Sequence, residues 1–225
     1  VKLFEKFGKV HSVLDVGCGV GSHVDVLREK GYKSFGVDAN PEMIEYAKKR
    51  YPNSDFKVQN MRLLNINEAF DAIICIRSII VFNKTNQEVL QTLRRFNDHI
   101  KKGGLLIVDV SNPISYLQKR KFKNRFVSKD KDIAKFGVYE VITDNIDERK
   151  QTMVNDRVFY TLKGNKKVGT YHRETRIFFP QELAFFLEQA GFKVLEFFSG
   201  EDIYKMSFNY KQLDKRRLLL VAKKK

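Results

Sequence analysis

The chain has 225 residues, 43% of them hydrophobic, two cysteines and a formal net charge of +15. That length suffices for a full core in one domain of the α/β kind, with a small appended lobe left open. Cys18 and Cys75 lack paired spacing, which argues against a disulfide framework or a zinc site, fits a reducing compartment, and leaves both as small packing residues at strand ends.

No run approaches the roughly eighteen consecutive apolar residues of a membrane span, and no charged-then-apolar leader is present. The chain is therefore expected to be soluble and cytoplasmic, and its opening at Val1 leaves open whether the natural start is missing. The excess of basic residues favours anionic partners or substrates. Much of it is diffuse lysine, including the tail Lys223-Lys224-Lys225, and reads as solvated surface. The denser run Lys119-Arg120-Lys121-Phe122-Lys123-Asn124-Arg125-Phe126 interleaves cations with aromatics and is a candidate for phosphate binding.

Taken in chain order, short apolar runs alternate with amphipathic stretches, the pattern of a parallel sheet with helices on both faces. Strands are predicted over Ser12–Val16, Lys33–Val37, Asp55–Gln59, Phe70–Ile76 and Gly104–Val110, with helices over Ser22–Lys30, Pro41–Arg50 and Gln87–Ile100. Pro41 suits a first helical turn, where its missing N–H would be unpaired anyway, and Lys101-Lys102-Gly103-Gly104 reads as a helix stop. After Asn112 the pattern changes to alternating and β-branched residues. Strands are expected near Gly137–Asp144, Thr152–Leu162 and Val168–Phe179, with Lys163-Gly164-Asn165-Lys166 as a hairpin turn. A helix over Pro180–Ala190, closed by Gly191, precedes two final strands, Lys193–Phe198 and Arg217–Ala222. No linker separates the middle segment, so 1–225 is read as one domain and 112–179 as an inserted lobe.

The densest chemistry lies in Asp15-Val16-Gly17-Cys18-Gly19-Val20-Gly21-Ser22, where a strand breaks into glycines at every second position before a helix begins. Such a turn tolerates unusual backbone angles and lets a ligand lie against bare backbone. The second strand ends in Asp38, the place and residue type that would hold ribose hydroxyls. A dinucleotide fingerprint needs a third glycine or alanine where this chain has Ser22, which disfavours NAD.

The strings D-V-G-C-G-V-G-S, G-V-D-A-N-P-E-M and F-D-A-I-I-C, in this order, resemble the class I S-adenosylmethionine-dependent methyltransferases. The layout with a middle insert is similar to that of small-molecule and amino-sugar N-methyltransferases. The resemblance implies a Rossmann-like doubly wound α/β sheet closed by a final antiparallel strand, plus an inserted antiparallel β lobe that covers the active site. It implies S-adenosylmethionine as cofactor, with Asp15, Gly17, Cys18, Gly19, Gly21, Asp38, Ala39, Met43, Asn60, Met61 and Ile76 around it. Asp15 would orient the loop and the cofactor amino group, and Asp38 would take both ribose hydroxyls. Asn60 departs from the acid common at its position, although its amide oxygen can still accept from an adenine amino group. No metal is implied.

A hydroxyl acceptor would need a general base, an amine much less so. Of the four histidines, His11 and His99 are expected at the surface and His23 in packing or capping. His172, in Tyr171-His172-Arg173-Glu174, is the base candidate, with Glu174 two residues on along the same strand face. Arg77, at the end of the fourth strand, is unsuited to face a sulfonium and is expected to meet a substrate carboxylate or phosphate, or water. The reading is methyl transfer to a small polar acceptor, possibly anionic or phosphorylated, with the amine of a nucleotide-linked amino sugar first. Two alternatives stand: an RNA methyltransferase, suggested by the charge but lacking an N-P-P-Y or D-P-P-Y motif after the fourth strand, and a cofactor-binding regulatory protein without turnover. A homodimer is left open, and no membrane partner is expected.

Overall fold

The computed structural model describes residues 1–117, 125–128, 130–201, 206, 207, 213 and 215–225. Helix α1 (Lys2–Phe7) precedes β1 (Ser12–Val16), α2 (Ser22–Glu29), β2 (Lys33–Asp38), α3 (Pro41–Arg50), β3 (Asp55–Val58), β4 (Phe70–Cys75), α4 (Asn86–Asp98) and β5 (Ile100–Ser111). Then follow α5 (Pro113–Leu117), β6 (Arg125–Val127), α6 (Lys131–Ala134), β7 (Val138–Asp147), β8 (Thr152–Thr161), β9 (Lys167–Arg176), α7 (Pro180–Gln189), β10 (Phe192–Gly200), β11 (Met206–Ser207) and β12 (Arg217–Lys224).

Eight strands form the main sheet in the order β11-β10-β12-β5-β4-β1-β2-β3. The five strands β1 to β5 run parallel, and β12 enters antiparallel between β5 and β10. Both faces of this sheet are covered, so its central strands are largely apolar and their side chains alternate between two cores. Leu14, Leu106, Val108, Leu218 and Leu220 pack on one face against Leu93 and Phe96 of α4 and Leu183 and Leu187 of α7. Val13, Leu105, Ile107, Leu219 and Val221 pack on the other, against Phe4 of α1 and Leu27 of α2. Helix α1 was not expected from the sequence. Its six residues carry little periodic signal, and tertiary contact holds them, Phe4 meeting Tyr32 edge-on at 5.5 Å.

The boundary after α4 corrects the sequence reading. The helix starts in a capping box between Thr85 and Glu88, and it ends at Asp98 rather than Ile100. His99 then closes it: Nδ1–H donates to the Arg95 carbonyl at 2.7 Å and Nε2 accepts from the Ile66 amide at 3.1 Å. His99 is therefore buried and not at the surface. Lys101-Lys102-Gly103-Gly104, expected as the helix stop, lies within β5, which opens at Ile100. Gly104 fits there because a Cβ would lie 2.7 Å from the Asp71 carbonyl oxygen.

The second sheet has the order β6-β7-β8-β9, all antiparallel. The β8–β9 turn carries positive φ at Gly164 and Asn165, as a tight hairpin demands. Strand β9 stops at Arg176, earlier than the expected Phe179, because Pro180 begins α7 and Ile177 and Phe178 turn into the core. Of the basic run 119–126, only Arg125 and Phe126 lie within the described residues, on exposed β6. Among the described residues no helix is long and apolar enough to cross a membrane.

Candidate active site

Strand β1 delivers the chain at Val16 into the glycine loop. Gly17 has φ +78, and a Cβ there would lie 2.5 Å from the Ile79 side chain. At Gly21, φ +84, a Cβ would meet Phe56 at 2.6 Å, so this glycine lets α2 start against α3 and β3. The amides of Gly17 and Cys18 donate to the Val37 carbonyl, which ties the loop to β2. The Gly19 amide donates to Asp38 Oδ2 and the Asn40 amide to Asp38 Oδ1, both at 2.9 Å. Two backbone donors thus fix the Asp38 carboxylate at the strand end, where each oxygen retains lone pairs for further donors.

Asp15 lies behind the loop, 1% exposed, and neither carboxyl oxygen has a hydrogen-bond partner among the described residues. Burial, and after it the negative charge of Asp38, pushes its carboxyl up to about 7. His23 Nδ1 stands 3.8 Å away. Burial, and then the positive charge of Arg77, lowers the pKa of His23, so the imidazole tends to the neutral form.

A cleft of about 420 Å³ opens between the ends of β1, β2 and β3 and the 3₁₀ turn Ile79–Phe82. Gly17, Asp38, Ala39, Asn60 and Met61 line it together, as do Asn40, Gln59, Arg62, Ile79 and Phe82, which sequence reasoning did not single out. The signal for the last two was an apolar run, Ile79-Ile80-Val81-Phe82, that belongs to no strand: Ile80 and Val81 enter the core while Ile79 and Phe82 face the cleft. Asn60 is partly committed, since its Oδ1 accepts from the Arg62 amide at 2.9 Å and so begins the 3₁₀ turn Met61–Leu63. Arg62 is held by Glu88 of α4.

Three other expected side chains lie elsewhere. The Cys18 thiol is packed among Val24, Ile44, Ala47 and Phe56, and burial raises its pKa. Met43 is exposed on α3, and Ile76 packs into the core on the α1 face of the sheet.

A second cavity of about 220 Å³ lies beside the cleft, and Phe82 lines both. Its walls come from the ends of β4, β5 and β12 and from β8 and β9, and include Arg77, Arg173, Arg176 and Arg217. Arg173 and Thr175 line it from β9, so by strand alternation His172 points to the opposite face. Its side chain is 65% exposed and its Nδ1 lies 2.6 Å from Asp156 Oδ1. The structure does not bring His172 to either cavity. Glu174 pairs with Lys84 Nζ at 2.7 Å and accepts from Thr152 Oγ1 at 3.1 Å.

A family model described as a methyltransferase domain matches residues 13–104, the stretch from β1 into β5 that builds the cleft. Residues 13–104 are similar to a methyltransferase domain. Over 98 residues the chain is 28% identical to a dTDP-3-amino-3,4,6-trideoxy-alpha-D-glucopyranose N,N-dimethyltransferase of Streptomyces venezuelae, covering 44% of this chain and 41% of that relative. The chain thus spans under half of that relative's length. A solved S-adenosylmethionine-dependent methyltransferase from Clostridium acetobutylicum superposes with a TM-score of 0.82 at 19% identity, over 99% of this chain and 88% of that one. CalS10, an amino pentose methyltransferase from Micromonospora echinaspora solved with S-adenosylmethionine bound, gives 0.72 at 18% identity, over 100% and 87%. The fold is the Rossmann-like one of these enzymes, for which S-adenosylmethionine is the methyl donor.

The cleft fits that cofactor. An unpartnered buried carboxyl at Asp15, a fixed carboxylate at Asp38, bare backbone at Gly17 and a space in the usual range for ligand sites supply its polar and steric needs.

Proposed function

We propose that the protein transfers a methyl group from S-adenosylmethionine to the amine of a small polar acceptor, with a nucleotide-linked amino sugar as first choice. The carrying observation is the pair of cavities that share Phe82, one built by the methyltransferase domain and one walled by the second sheet. When bound, the cofactor supplies a sulfonium-activated methyl group. The protein has then to hold donor and acceptor aligned, and such alignment can lower a barrier by roughly 7 to 11 kcal/mol.

In this reading Asp38 receives the ribose hydroxyls in charge-assisted bonds. Asp15 faces the cofactor amino group, Asn60 and Met61 border the adenine, and Phe82 excludes water at the junction of donor and acceptor. An amine that sheds its proton before binding needs no protein base, in keeping with a second cavity whose titratable lining is all arginine. The amino-sugar relative, which by its name acts on a dTDP-linked amino sugar, supports the acceptor class.

The experiment is a turnover assay with S-adenosylmethionine and a panel of small amines, reading S-adenosylhomocysteine and the methylated product. Transfer that depends on a small amine is expected. Transfer to RNA with every small amine inert would replace this reading by that of an RNA enzyme.

A further inference from the structure

We infer that the second cavity is an anion subsite, in which Arg77, Arg173 and Arg217 hold a phosphoryl group carried by the acceptor. The inference deepens the proposed function by naming what recognises the acceptor, and it rests on that reading for the amine alone.

Four guanidinium groups share about 220 Å³ with Ser78, Ser111 and Thr175. Two of them are neutralised by acids: Arg176 Nη2 lies 2.5 Å from Glu182 Oε1, and Arg217 pairs with buried Asp109. Arg77 and Arg173 have no carboxylate partner among the described residues. Two positive charges therefore remain uncompensated on one small cavity. The pyrophosphate bridge of a nucleotide-linked sugar carries two negative charges at neutral pH, one on each phosphoryl, and a phosphomonoester carries close to two, whereas a carboxylate would balance only one.

Hydrogen-bond accounting points the same way. The Nε–H groups of Arg173, Arg176 and Arg217 are buried and have no partner among the described residues. Buried donors are normally satisfied, and the planar fork of arginine matches phosphoryl oxygens. Arg217 also feels its neighbour despite the pairing with Asp109, for burial and then the charge of Arg77 lower its pKa.

The backbone that presents Arg77 is strained. Arg77 and Ser78 have φ of 63 and 61, two successive non-glycine residues in the left-handed region. Their turn is pinned to β5: the Ser111 amide donates to Ser78 Oγ at 3.1 Å and the Ser78 amide to Asp109 Oδ1 at 3.4 Å. The same Asp109 anchors Arg217, so one buried carboxylate sets two walls of the cavity. Arg176 has a structural part, lying 5.1 Å from the ring centres of Phe178 and Phe186.

The test uses the whole chain and inorganic pyrophosphate, titrated by phosphorus NMR at constant ionic strength. Saturable one-to-one binding is expected. Arg77→Met with Arg173→Met should weaken it roughly ten- to a hundredfold, and Lys48→Met with Lys49→Met on α3 should leave it unchanged. Affinity for S-adenosylhomocysteine, measured on the same samples, should stay the same in both variants and serves as the check on folding. Equal loss of pyrophosphate binding in the lysine variant would reduce the effect to net charge and overturn the subsite. Saturation by malonate but not pyrophosphate would overturn the phosphoryl assignment in favour of a carboxylate. Pyrophosphate binding without any binding of S-adenosylhomocysteine would instead sink the methyltransfer reading and leave the subsite standing.

Discussion

The Gly19 amide donates to Asp38 Oδ2 at 2.9 Å, which joins the loop after β1 to the end of β2 across 19 residues of sequence. The carboxylate thereby serves two purposes, closing the loop and offering its remaining lone pairs to a ligand. Asp38→Ala should weaken S-adenosylhomocysteine binding by about 1.5 to 3 kcal/mol, the worth of a lost charged hydrogen bond. Calorimetry on a variant that retains the parent's melting temperature decides it, and undiminished affinity would remove Asp38 from the ribose.

Asp15 should make cofactor affinity depend on pH. Its carboxyl is raised from 3.8 to about 7, chiefly by burial, so at neutral pH a large share is protonated. A cationic amino group bound beside it prefers the ionised form. Binding should therefore tighten as pH rises through about 7, with proton release visible as a buffer-dependent heat, and Asp15→Asn should abolish both. The sign for stability is opposite. The folded chain holds more protons than the unfolded one between 3.8 and about 7, so this group costs stability as pH rises through that window. Thermal melts should show Asp15→Asn gaining on the parent at high pH and not at low pH.

Asp71 behaves in the reverse manner. Burial pushes its carboxyl up, but Lys101, the amides of His11 and Ser12 and the Ser12 hydroxyl outweigh it and hold it at about 2. Its contribution is present above 3.8 and is lost as pH falls toward 2. Asp71→Ala should lower stability at pH 7 by about 1 kcal/mol in denaturant titrations, less than the whole pKa shift because solvent screens the pair with exposed Lys101, with the gap closing in acid. A gap independent of pH would show that the ion pair with Lys101 is not its source.

His172 carries the sharpest departure from the sequence reading. Exposed, paired with Asp156 and turned from both cavities, it should be dispensable, and His172→Ala should change turnover less than about twofold. A fall of roughly 10² or more would restore it as the base.

The parallel half of the fold was legible because its central strands are buried on both faces and read as largely apolar runs, and because glycines at 17, 19 and 21 admit few other meanings. The cleft was legible where backbone makes it: Gly17, Asp38 and Ala39 follow from position in the motif alone. Side-chain direction was not. Cys18 sits between two loop glycines yet turns into the core, and His172 and Arg173 are neighbours on opposite faces of β9. The fate of Arg77 was partly readable from charge, since a cation suits an anionic substrate. Its alliance with Arg173 and Arg217 was not, because it depends on how β9 and β12 pack some 100 residues or more further along the chain.

The central claim is that the cleft between β1 and β2 holds S-adenosylmethionine for transfer. Calorimetric titration of the chain with S-adenosylhomocysteine, beside NADH as control, tests it most directly. One-to-one saturable binding of S-adenosylhomocysteine, reduced by Asp38→Ala and absent for NADH, is the predicted result. No saturable heat with S-adenosylhomocysteine, or equal binding of NADH, would contradict the account.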